Sequence, residues 1–167
     1  MGYFLLEQMR AWVYKINARR TGGHCDNYFR YRGRQPYEMG GSDWIRSAQS
    51  WAHLRQVRRG DLFICYQSDE RRIYGLARAF SRGYESLPES TRFDSIDFSP
   101  RGLRLRNPVD VRQPLFRHIR AFTAPSRGTI HPLASDEWRA LLSHLVALNP
   151  KQKQEILVFV IRRRWCE

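Results

Sequence analysis

Acidic residues are scarce in this chain of 167 residues: sixteen Asp and Glu stand against twenty-nine Lys and Arg, a formal net charge of +13. Lysine is scarcer still. Only Lys15, Lys151 and Lys153 occur, and every other basic residue is arginine. A surplus of this size calls for a polyanionic partner. Arginine adds a planar fork that pairs with phosphate and with the acceptor edge of guanine. A GC-rich genome would favour arginine over lysine, but it does not account for the excess over acids.

Cysteine is almost missing. Cys25, Cys65 and Cys166 form an odd set without paired spacing, which argues against a disulfide framework or a zinc site. His24 beside Cys25 has no second pair of ligands, and Cys65 lies in an apolar run where a small core residue is expected. No apolar run approaches the roughly 20 residues of a membrane span. Tyr3-Phe4-Leu5-Leu6 is the one apolar patch of 1–10, and no small-residue cleavage site follows it. A signal peptide is therefore not expected, no membrane partner is expected, and a cytoplasmic location is. Also missing are a Gly-rich phosphate loop, a paired metal-ligand motif and a Gly-x-Ser-x-Gly elbow. His24, His53, His118, His131 and His144 are scattered. No cofactor and no metal is expected. The catalytic alternative is a metal-free RNA-processing enzyme using His118 or His131 with nearby arginines.

What is present is globular: 42% hydrophobic and 13% aromatic residues suffice for one domain over 1–167 with its own core. Within it, 1–10 reads as an N-terminal extension, 17–42 as a long basic loop and 149–167 as a C-terminal extension. Trp12-Val13-Tyr14-Lys15-Ile16 is β-rich and predicts the first strand. Ser42 or Asp43 is placed to cap a helix running to Val57, and Gly60-Asp61 turns the chain into a strand from Leu62 to Gln67. Ile73 to Phe80 completes a hairpin. Shorter extended pieces are expected at 93–98, 103–106 (closed by Asn107-Pro108), 109–112, 115–122 and 128–132. A helix begins near Ser135, with Leu141, Leu142, Leu145 and Leu148 toward the core and Asn149-Pro150 ending it. The apolar run 156–161 suits a buried strand or a helix equally. The fold class is α+β, a small twisted β-barrel flanked by helices.

Several residues stand in a distinctive order. Trp12 is followed three residues on by Lys15; Arg46-Ser47-Ala48-Gln49 opens a helix; Leu54-Arg55, Gly60-Asp61 and Tyr66-Gln67-Ser68 follow. Gly75-Leu76-Ala77, Ile130-His131-Pro132 and Glu137-Trp138 come later. This ordered set resembles the EVE domain, a member of the PUA-like fold related to the YTH readers of methylated adenine. The likeness departs from the family pattern at Ser47 and Ala48, where EVE domains carry asparagine and tyrosine, and at Gln67, where they carry histidine. The first departure leaves a roomier, less polar wall.

The resemblance implies a PUA-like barrel and a non-catalytic nucleic-acid-binding module. Such a module recognises a modified base, a methylated or hydroxymethylated cytosine or a methylated adenine, flipped into an aromatic pocket. Extruding a base costs a few kcal/mol, and stacking on an aromatic face returns about 1–3 kcal/mol. The base-binding candidates are Trp12, Trp44, Ser47, Gln49, Tyr66, Gln67, Ser68 and Tyr84, with Lys15, Arg46 and Arg127 for phosphate. Each has a plainer reading beside it. Trp12 on a strand suits the core, Tyr66 shares its period with Leu62 and Ile64, and Gln49 could brace a wall from within. The partner is nucleic acid carrying a modified base, DNA before RNA, with a nuclease or ATPase acting in trans. The alternative is a PUA-like RNA-binding accessory protein indifferent to modification.

Overall fold

The computed structural model describes residues 9–89, 91–123 and 128–162. The phosphate candidate Arg127, the patch at Tyr3 to Leu6, Cys166 and the basic pair Arg163-Arg164 lie outside the described residues. Among the described residues no helix is long and apolar enough to cross a membrane.

Among the described residues seven strands and six α-helices alternate irregularly, an α+β arrangement. Five strands form one mixed sheet. β1 (Ala11–Ile16) lies parallel to β3 (Leu62–Gln67), with Trp12 opposite Phe63 and Ile16 opposite Gln67. β7 (Ile130–Leu133) pairs antiparallel on the far side of β1. β4 (Arg72–Arg78) and then β6 (Leu103–Asp110) extend the sheet beyond β3, both antiparallel. A ribbon of β2 (Tyr37–Gly40) and β5 (Ser95–Phe98) joins the end of β4 through a bridge between Ala79 and Phe98.

The central strands are buried on both faces, which explains the unbroken apolar run of β3. Their alternation divides the core in two. Val13, Leu62, Ile64 and Tyr66 face a cluster completed by α5 (Ser135–Leu148) and α6 (Lys153–Ile161) through Trp138, Leu141, Leu145 and Phe159. Trp12, Tyr14, Phe63 and Cys65 face the opposite cluster, closed by the ribbon, by α2 (Cys25–Arg30) and by α3 (Ala48–Leu54).

Several expectations are corrected. The 17–42 loop contains α1 (Ala18–Thr21), α2 and β2. Helix α3 starts at Ala48 with Ser47 as its N-cap, not at Asp43, because 42–44 is taken up by a turn. Asn107-Pro108 does not end β6. The strand lies at the sheet edge, where proline is tolerated, and its outward amides are bound by side chains: Arg106 N–H by Gln152 Oε1 at 2.9 Å and Asn107 N–H by Asn149 Oδ1 at 3.2 Å. The extended piece expected at 115–122 is a 3₁₀ turn at Pro114–Phe116 and the short helix α4 (Arg120–Thr123). The run 156–161 is helical. Its last carbonyls are bound by the buried Arg78, whose guanidinium donates to Phe159 O at 3.0 Å and Val160 O at 2.6 Å. The N-cap of α5 is Ala134, whose amide donates to Glu137 Oε2 at 3.0 Å.

Candidate functional site

The parallel pair β1 and β3 ends at a cavity of about 780 Å³. Lys15, Ile16 and Asn17 continue β1 into its wall, and Tyr66 and Ser68 do so from β3. Crevices beyond the carboxyl ends of parallel strands are open because the chain departs there for loops. Ser68 ties the two ends together: its amide donates to Ile16 O at 2.7 Å and its hydroxyl to the same oxygen at 3.1 Å.

Trp44 forms one lip, 40% exposed and among the few large apolar side chains left in solvent. Its turn is set by Gly40 and Gly41, with φ of 119° and 106°, values that L side chains rarely adopt. The amides of Trp44 and Ile45 both donate to Gly41 O at 3.0 Å, and the fully buried Ile45 anchors the turn. Ser47, three residues on, caps α3 and borders the same cavity. The floor is Tyr66, buried, with its ring edge-on to Phe122 at 5.0 Å and 66°. Burial raises the Tyr66 hydroxyl pKa, so it stays a neutral donor.

The opposite wall is Gly128-Thr129, held by groups outside the cavity. The buried Ser50 hydroxyl accepts from Thr129 N–H at 2.8 Å and Ile130 N–H at 3.3 Å. His131 lies 2.7 Å from Gly128 O through Nε2. Burial, then the nearby Lys15 and His53, lower the His131 pKa to about 4, against the opposing effect of its bond to Gly128. The ring is therefore neutral at physiological pH, with its proton on Nε2. Lys15 reaches the cavity from β1, and burial lowers its pKa to about 8.

Among the described residues six cations border the cavity: Lys15, Arg20, Arg46, Arg71, Arg112 and Arg117. Asp43 is the only carboxylate among its described lining residues. Two arginines are partnered. Arg46 stands 3.6 Å from the Asp43 carboxylate in an exposed pair worth little, and Arg112 is paired with Asp110, which drops to about 2 in consequence. Arg20, Arg71 and Arg117 are exposed and make no ion pair among the described residues. Arg71 has a φ of 56°, the only positive value among described non-glycine residues.

Of the residues singled out from sequence, the cavity gathers Trp44, Ser47, Tyr66, Ser68, Lys15 and Arg46. Four others lie elsewhere. Trp12 is buried in the second core cluster, stacked on Phe63 at 6.4 Å, and its indole N–H donates to Asp61 Oδ2 at 2.9 Å. Gln67 is fully buried, accepting from Cys25 N–H at 3.0 Å and donating to Asp69 Oδ1 at 2.7 Å. It braces α2 against β3. Tyr84 donates to Asp97 Oδ1 at 2.9 Å beside the β2–β5 ribbon. Gln49 borders a separate groove with His53, His118 and His131. Asn17, Arg20, Arg71, Arg112, Arg117 and Phe122 were missed from sequence. Only the general arginine excess pointed toward four of them.

No protein-family model and no curated protein matches this sequence. Solved structures do. Protein Rpa0253 from Rhodopseudomonas palustris is 22% identical over 84% of this chain and 94% of its own, with a TM-score of 0.65. Human THYN1, solved in complex with DNA containing 5-methylcytosine, is 17% identical over 81% and 97%, with a TM-score of 0.57. The YTH domain of Zygosaccharomyces rouxii MRB1, solved with N6-methyladenosine RNA, is 16% identical over 83% and 88%, with a TM-score of 0.53. The chain thus shares the α+β fold of these structures, the outcome that the resemblance of its motif order implied.

Proposed function

We propose that this protein is a non-catalytic nucleic-acid-binding module whose cavity holds one modified base beside Trp44. The observation that carries the reading is the convergence of an exposed indole, the Tyr66–Phe122 pair, the Ser47 and Ser68 hydroxyls and six cations on one crevice. Trp44 supplies a stacking face, which for a single base is worth about 1–3 kcal/mol. Ser47 and Ser68 supply donors and acceptors for the base edge. Lys15, Arg20, Arg46, Arg71 and Arg117 surround the opening where the neighbouring phosphates would pass.

The base is a methylated cytosine or a methylated adenine, marks present in the nucleic acids of the THYN1 and YTH complexes, or a hydroxymethylated cytosine. DNA is placed before RNA. Burying one methyl group adds only about 0.8 kcal/mol, so discrimination must also come from the base edge. The small side chain of Ser47 at the cavity wall leaves room for the larger of these bases. His118 and His131 line a different groove, and neither touches the base in this reading.

Titration of oligonucleotides that differ only in the central base, against wild type and Trp44→Ala, tests it. Wild type should prefer one modified base, and Trp44→Ala should lose that preference together with about tenfold in affinity, near the low end of one stacked base. Equal affinity for every base, or a neutral Trp44→Ala variant, would end the proposal.

A further inference from the structure

The inserted segment between β1 and the Trp44 turn carries aromatic and basic residues that the cavity leaves unused. Tyr28, Tyr37 and Tyr31 form a chain of edge contacts, at 5.4 Å and 64° between the first two and 5.1 Å and 69° between the last two. Tyr28 is its fixed member, buried and donating to Ser99 O at 2.6 Å. Tyr31 and Tyr37 are half-buried. A groove of about 690 Å³ opens along Tyr28 and Tyr31, bordered by Arg32, Arg34 and Arg101.

Two glycines shape this groove by close approach. A Cβ on Gly102 would stand 2.5 Å from the Tyr28 ring, and one on Gly33 would stand 2.0 Å from the Tyr31 hydroxyl. Arg32 is held in place by bonds to Phe29 O at 2.8 Å and Tyr31 O at 3.2 Å. Arg34 and Arg101 are exposed and make no ion pair among the described residues.

A third, smaller cavity of about 230 Å³ lies between the groove and the base site. It shares Ile16 and Trp44 with the base site and Tyr28 with the groove, and Tyr37 lines it. Through these shared residues the three spaces adjoin one another along a track from Trp44 past Tyr37 to Tyr31 and the arginines.

We infer that this track, with Tyr31 and Tyr37 as stacking faces and Arg34 and Arg101 as phosphate contacts, binds the unpaired nucleotides flanking the base at Trp44. The ligand is then a single strand. The inference rests on the base-holding role proposed for the Trp44 cavity. Aromatic faces interleaved with cations bind single strands with little regard for sequence, because every base has a π-face and every nucleotide a phosphate. Paired bases in a duplex present no free face to Tyr31.

Fluorescence anisotropy with single strands of about 3 and about 12 nucleotides, below and within the site size of such grooves, tests the track. Each strand carries the same central base, modified or unmodified, and a duplex of the longer one is included. Wild type should bind the longer strand at least about tenfold tighter than the shorter, and tighter than the duplex. Tyr31→Ala and the double variant Arg34→Ala/Arg101→Ala should each lose about tenfold on the longer strand and less than about twofold on the shorter. Tyr31→Phe keeps the ring and should match wild type. A longer strand bound no tighter than the shorter, or variant losses that are absent or equal at both lengths, overturns the track. Trp44→Ala is read separately, through discrimination between modified and unmodified base. If that variant is neutral the base site falls, while length-dependent losses at Tyr31 and the two arginines still support single-strand binding along the track.

Discussion

Replacing Arg71 by glycine should leave the protein as stable or more stable while weakening its hold on nucleic acid. Arg71 closes the β3–β4 hairpin with φ at 56°, and its carbonyl accepts from Val111 N–H at 3.0 Å. That backbone bond survives the substitution. A side chain in this left-handed region costs about 1–2 kcal/mol, which glycine relieves. Glycine also gains freedom in the unfolded chain, which takes back about 0.4–1 kcal/mol. The net expectation is a gain of about 0–1.6 kcal/mol. The exposed side chain makes no ion pair among the described residues, so little else is lost. Arg71→Ala is the control, because it removes the charge but keeps the unfavourable backbone. Urea denaturation should rank glycine above alanine, while binding should be weakened alike in both. Each should lower the slope of log affinity against log salt by about 0.7–0.9, the value of one phosphate contact. A glycine variant destabilised by more than about 1 kcal/mol, or one with unchanged salt dependence, would refute this account of why an arginine occupies a glycine's conformation.

Trp12→Phe should keep the ring stack on Phe63 but deprive the buried Asp61 carboxylate of its indole donor. The expected cost is about 1.5–3 kcal/mol in stability, with affinity per folded molecule unchanged. Changed base preference in this variant would show Trp12 acting at the ligand instead. Binding should weaken as pH rises through about 8, where Lys15 gives up its charge, and Lys15→Arg should flatten that profile. Stability should respond in the opposite region. His131 has a folded pKa of about 4, below its unfolded value of about 6.5. The unfolded chain therefore takes up a proton that the fold refuses, and stability falls as pH drops from about 6.5 to about 4. Urea midpoints of His131→Gln, measured across that interval, should fall less than those of wild type.

Local pattern reached the elements with strong periodicity. The alternation of β1 and β3, the hairpin into β4 and the leucine face of α5 are each written in contiguous residues whose burial repeats at the strand or helix period. It failed where tertiary partners override local preference. Pro108 stays inside β6 because Gln152 and Asn149 satisfy the amides beside it. The run 156–161 is a helix whose end is bound by Arg78, a residue some 80 positions earlier. At the motifs, matching residue types was not the same as matching roles. Trp12 and Gly60-Asp61 stand in the order of the resemblance, yet Trp12 and Asp61 bind each other. In Tyr66-Gln67-Ser68 the pleat sends the outer two toward the cavity and the middle one into the opposite core.

Composition and periodicity, properties of the chain before it folds, already mark a basic α+β protein suited to a polyanion. Local pattern placed Trp44 just inside a helix capped at Ser42 or Asp43, where the fold has instead a turn set by Gly40 and Gly41. Which of the arginines surround the cavity depends on long-range contacts. Arg20, Arg71, Arg112 and Arg117 come from four separate turns and short segments, and nothing in their neighbours distinguishes them from the arginines outside it. Arg20 and Arg71 meet through the parallel pairing of β1 with β3, which brings the ends of strands some 50 residues apart to one edge. Arg112 and Arg117 arrive where β6 pairs with β4. A sheet pairing of that range is encoded in the whole core, so the site it creates has no local signature.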